Sequence, residues 1–91
     1  MRLTNKEIKN VINGVFKALG VFEPSWPTDK PELLIFECED DGEGCNYQGV
    51  ITRTPDNTLV VTYNADFSDF GDDNLTIFSL EDFVITMLKG V

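Results

Sequence analysis

Ile8, Val11, Ile12, Val15, Phe16 and Leu19 recur at intervals of three and four residues, which draws one apolar stripe along a helix and leaves Lys6, Lys9, Asn10, Asn13 and Lys17 for water. Thr4-Asn5-Lys6-Glu7 has the form of a capping box, with the Thr4 hydroxyl available to a first-turn amide and the Glu7 carboxylate able to reach back. The helix is therefore predicted to start at Thr4. Gly20 is its natural stop. Residues 21–31 then carry Pro24, Pro27 and Pro31, which forbid a long helix and predict an extended connection anchored to the core by Phe22 and Trp26.

Beyond Pro31 the period changes from that of a helix to the alternation of strands. Residues 32–39, 45–54 and 58–64 read as three strands, with Leu34, Phe36 and Cys38 pointing one way and Leu33, Ile35, Glu37 and Glu39 the other. Asp41-Gly42 is a favoured two-residue hairpin turn, and it predicts a register in which Phe36 faces Tyr47, Cys38 faces Cys45 and Leu33 faces Val50. For Tyr47 and Ile51 to share a face with Leu59, Val61 and Tyr63, the second hairpin loop must have odd length. Pro55-Asp56-Asn57 fits as a three-residue loop, with Asn57 tolerating the left-handed position. Residues 65–74 read as a polar loop and residues 75–78 as a short fourth strand. Ser79, with Asp82 three residues on, caps a final helix whose stripe is Leu80, Phe83, Val84, Met87 and Leu88.

The fold class predicted is α+β, one two-layer domain over residues 1–91. It has an N-terminal helix, an antiparallel three- to four-stranded β-meander and a C-terminal helix, with both helices on the sheet face made by Leu34, Phe36, Tyr47, Ile51, Leu59, Val61 and Tyr63. On the other face Leu33, Ile35, Val50 and Val60 sit among threonines. That face is either covered by the Pro-rich connection or used for self-association as a homodimer. In element order the chain resembles double-stranded-RNA-binding domains, but the final helix offers only Lys89 where phosphate contacts need a basic cluster. Direct nucleic-acid binding is therefore not expected.

Charge sharpens that exclusion. The net charge is -9 over 91 residues, and it is concentrated in the middle of the chain. Residues 1–31 hold five Lys/Arg and three Asp/Glu, whereas residues 32–82 hold Arg53 against thirteen carboxylates. Such a field repels phosphates and anionic lipid, and attracts cations or basic protein surfaces. Interleaved Val, Ile, Tyr and Phe keep the acidic segment foldable. No stretch is long and apolar enough for a membrane span, and the residues after Met1 have no apolar signal core, so a cytoplasmic location is expected.

The catalytic vocabulary is thin. Histidine is absent, which removes His-based general bases, His-activated nucleophiles and His-bound zinc, and two cysteines cannot make a four-thiolate zinc site. Cys38 and Cys45, if opposed across the hairpin, would suit a disulfide; in a reducing compartment they read as small core residues. Glu37, Glu39, Asp41 and Gly42 imitate the start of a calcium-binding loop, but Gln48 stands where a bidentate Glu belongs and strands flank it. No enzyme activity, metal or cofactor is expected.

The remaining candidate chemistry is acidic. Glu37, Glu39, Asp40, Asp41 and Glu43 cluster at the predicted hairpin tip, and Asp66, Asp69, Asp72 and Asp73 in the polar loop. Together they are expected to dock on a basic, nucleic-acid-binding surface of a partner protein and so inhibit it, as phage-encoded anti-defence proteins and immunity proteins do. The alternative is a structural or assembly protein that self-associates through Leu33, Ile35, Val50 and Val60.

Overall fold

A computed structural model describes residues 3–38, 45–67 and 71–89. The order of elements is α1 (Asn5–Ala18), β1 (Ser25–Lys30), β2 (Leu33–Cys38), β3 (Cys45–Arg53), β4 (Leu59–Phe67), β5 (Gly71–Ser79) and α2 (Leu80–Lys89). The strands form one open antiparallel sheet in sequence order, an α+β fold with one strand more than the largest number expected.

The ends of α1 follow from local chemistry. The Glu7 amide donates to Thr4 Oγ1 at 3.2 Å and the Thr4 amide donates to Glu7 Oε1 at 3.0 Å, a reciprocal capping box. At the other end Gly20 takes φ +71°, so that the Val21 amide reaches the Phe16 carbonyl at 3.0 Å and the Gly20 amide reaches that of Lys17 at 3.1 Å. This is the Schellman closure, which a glycine makes without a Cβ penalty.

The Pro-rich connection contains β1. Only Pro27 lies inside that strand, at a bulge between Ser25↔Glu37 and Thr28↔Ile35, and the strand is at the sheet edge, where a missing amide breaks no inner ladder. β1 is fastened to α1 through Asp29, which pairs with Lys9 and accepts from Asn5 Nδ2 at 3.0 Å. Trp26 is anchored as expected: its Nε1 donates to Asn13 Oδ1 at 3.1 Å and its ring lies 5.3 Å from that of Phe36. Phe22 is not an anchor by its ring, which is 60% exposed; the Tyr47 hydroxyl instead donates to the Phe22 carbonyl. Lys9 is therefore spent within the molecule, beside Asp29 and the Trp26 ring, and is not part of a free basic face.

The β2–β3 register differs from the predicted one by two residues. Phe36 faces Gly49 rather than Tyr47, Cys38 faces Tyr47 rather than Cys45, and Leu33 faces Thr52, with Ile35 opposite Val50. The shift is even, so every side chain keeps its face. The physical reason is the glycine. A Cβ at position 49 would overlap Cζ and both Cε atoms of the Phe36 ring, so the ring fills the space that Gly49 leaves. The Asp41-Gly42 turn lies outside the described residues, but a ladder of this register is not centred on it.

The β3–β4 hairpin has the expected three-residue loop. Thr54 and Thr58 close it, with the Thr54 amide on the Thr58 carbonyl at 2.9 Å, and Asn57 takes the left-handed conformation at φ 67°. The polar loop predicted over residues 65–74 is largely strand: β4 continues to Phe67 and β5 begins at Gly71. Backbone pairing does not require apolar side chains, and β5 is an edge strand, where charge is well tolerated. A bulge sets one residue of β4, Asn64, against two of β5, Asn74 and Leu75, between Tyr63↔Thr76 and Ala65↔Asp73.

One core joins the layers. Ile8, Ile12 and Phe16 of α1 and Leu80 and Phe83 of α2 meet Leu34, Phe36, Tyr47, Ile51, Val61, Tyr63 and Ala65 of the sheet. The rings of Phe16 and Tyr47 stack at 4.5 Å, and Tyr63 meets Phe83 edge-on at 5.3 Å. Of the predicted helix stripes Val11 and Leu88 are exposed and Leu19, Val84 and Met87 half-buried, while Leu59 of the sheet is half-buried against the core.

Three exposed carboxyls are held below their ordinary range, Glu7 by the Thr4 amide and hydroxyl, Asp29 by Lys9 and Asn5, and Asp56 by Thr54 and Thr58. A carboxyl whose folded pKa is depressed stabilises the fold above its unfolded value, and loses that contribution as pH falls through the folded value. Carboxyl NMR titration should place the midpoints of Glu7, Asp29 and Asp56 below ordinary Glu and Asp values. A midpoint at or above them would contradict these hydrogen bonds.

Candidate functional site

Antiparallel topology decides which segments share an end of the sheet. Residues 39–44 leave from Cys38 and return at Cys45, and residues 68–70 join Phe67 to Gly71. Cys45, Phe67 and Gly71 pair in one row, and Cys38 pairs with the neighbouring Tyr47. Both acidic segments therefore emerge from the same end. Glu37 is half-buried in β2, where its carbonyl accepts from Ser25 Oγ at 3.1 Å. Asp66 lies in β4 and Asp72 and Asp73 in β5; Glu39, Asp40, Asp41, Glu43 and Asp69 lie outside the described residues.

At this end Asp66 is directly opposite Asp72 in the β4–β5 ladder, with Asn46 as its other neighbour. No three Asp, Glu or Cys side chains converge as metal ligands among the described residues.

The face carrying Leu33, Ile35, Val50 and Val60 is not covered by the Pro-rich connection, which has become β1 and extends the sheet edgewise. The registers align Ile35, Val50, Thr62 and Ile77 in one row and Leu33, Thr52 and Val60 in the next. Leu33, Ile35, Val50 and Val60 are half-buried, while Ile77 is 68% exposed. Ile77 escaped the sequence reading because its partner Thr62 could not be assigned before the bulge was known.

A third feature was not foreseen. Between α1 and α2, beside the β3–β4 hairpin, lies a groove of about 590 Å³ whose lining includes Leu3, Val11, Leu59, Val84, Ile85 and Arg53. Arg53 is positioned by its own guanidinium: Nη1 donates to Asn57 Oδ1 at 2.9 Å and Nη2 to the Leu3 carbonyl at 2.8 Å. Its Nε is buried and finds no acceptor among the described residues. A buried donor left so costs about 1–3 kcal/mol, more on a charged group. The available signal in the sequence was Arg53 as the lone cation of residues 32–82.

Among the described residues no helix is long and apolar enough to cross a membrane. No family model, curated protein or solved structure matches the chain.

Proposed function

We propose that the chain is a non-enzymatic binding protein that presents the acidic end of its sheet to a basic surface of a partner protein. The observation that carries this reading is that β2 ends, β3 begins, β4 ends and β5 begins at one end of the sheet, so that the two acidic stretches of the sequence join strands at a common end. Basic surfaces of the kind that would answer this charge commonly hold DNA or RNA. Occupying one mimics nucleic acid and inhibits by competition with phosphates, the mode of phage-encoded anti-defence and immunity-type proteins. A cytoplasmic setting suits that role.

The experiment is capture of partners from the native host at low and high salt, with nucleic acid as competitor. Exposed charges are screened over about 8 Å at physiological ionic strength, so capture should fall steeply with salt and nucleic acid should displace the partner. Retention indifferent to both would contradict the proposal.

The exposed Ile77 favours a second reading, self-association through the sheet face with both helices backing the other side. On that reading Val50→Lys converts a dimer to a monomer in light scattering. A wild-type chain that stays monomeric at high concentration would remove it.

A further inference from the structure

The groove at Arg53 is separate from the acidic sheet end. β3 runs from Cys45 at that end to Arg53 at the other, nine residues or about 27 Å of strand. We propose that this groove binds a small amphipathic carboxylate, its apolar body against Val11, Leu59, Val84 and Ile85 and its carboxylate on the Arg53 guanidinium.

Size, walls and the charged group each point there. A volume of about 590 Å³ falls within the range of small-ligand sites, which are mostly apolar with a few placed polar groups. Val11 and Ile85, 38% and 54% exposed, line it from two different helices; core packing gives no reason for either apolar side chain to stand open to water. The guanidinium supplies the polar anchor. It has five N–H donors, of which Asn57 and the Leu3 carbonyl take two, and the Nε–H has no acceptor among the described residues.

Nε–H and an Nη–H side by side form the fork that a carboxylate accepts with two oxygens, a geometry an alcohol or an amine cannot match. Asn57 and Leu3 already hold that fork in place, so little side-chain entropy is lost on binding. The Nε–H is itself buried, so a carboxylate reaches it only as the guanidinium shifts toward the groove. Glu81 also lines the groove and opposes negative charge, which selects a monoanion over a phosphate and predicts that its neutralisation helps the ligand.

Sodium octanoate is a suitable probe, followed by ¹H–¹⁵N correlation spectra, with octylamine as the comparator of equal length and opposite charge. Octanoate should shift the amides of Asn57, Leu59, Val84 and Ile85 saturably, and octylamine should bind at least about tenfold more weakly. Ile85→Glu, at an exposed position that leaves the spectrum of the fold intact, should weaken octanoate about tenfold, and Glu81→Gln should tighten it about two- to fivefold. Arg53→Lys keeps the charge and loses the fork, and should weaken octanoate by a similar factor; if it unfolds the chain, Ile85→Glu and the octylamine comparison still decide. Equal binding of octanoate and octylamine, shifts confined to other surfaces, or an Ile85→Glu variant that binds as wild type would each overturn the site.

Discussion

Replacing Gly49 with valine is expected to destabilise the protein by about 3 kcal/mol, at the upper end of what overpacking a core costs. The new Cβ would occupy the space of the Phe36 ring, and that ring has nowhere to go. It is enclosed by Phe16 with centroids 5.8 Å apart, by Trp26 at 5.3 Å and by Phe83 at 6.2 Å. For a domain of this length such a loss lowers the thermal midpoint by roughly 12–24 °C. Shortening the opposing side chain should return part of it, so Phe36→Leu in the Gly49→Ala background should show a coupling of about 1 kcal/mol in a double-mutant cycle. A Gly49→Val protein with an unchanged midpoint would mean that the ring does not lie over the glycine and that the β2–β3 register is wrong.

Neutralising Asp66 and Asp72 together is expected to lower affinity for a basic partner about tenfold, chiefly through a slower association rate, because the acidic charge steers the encounter. Carboxylates kept for solubility alone would leave the association rate unchanged. Binding kinetics of the Asp66→Asn, Asp72→Asn double variant with the captured partner, set beside urea unfolding to show that the fold is kept, separate the two cases.

What could be read from the sequence was whatever local chemistry decides. Thr4 and Glu7 announce a capping box, Gly20 a Schellman stop, and the odd parity of Ile51, Leu59 and Val61 forces a loop of odd length that Asn57 completes. What could not be read depends on partners distant in the chain. The favourable turn at Asp41-Gly42 suggested one register, and the fit of the Phe36 ring over Gly49 selected another. Prolines hid β1, since nothing in residues 21–31 shows that Pro27 will sit at an edge bulge. The aspartates of residues 65–74 made strand look like loop, because side-chain polarity says little about a backbone ladder at an edge.

The candidate surfaces divide along the same line. The acidic residues were visible one by one, but that their two stretches join strands at one end of the sheet is a property of antiparallel topology. The sheet-face row gained Ile77 only through the β4–β5 register. The Arg53 groove draws Leu3, Val11, Leu59 and Ile85 from four parts of the chain, and no local pattern joins them.

The most direct test of the acidic end compares wild type with a variant in which Glu37, Glu39 and Glu43 are changed to Gln and Asp40 and Asp41 to Asn, measuring affinity for the captured partner across a range of salt. Wild-type binding should weaken steeply as salt rises, and the variant should bind far more weakly with a much shallower salt dependence. Two parallel curves of equal affinity would contradict the account, because the partner would then be held by some other surface of the molecule.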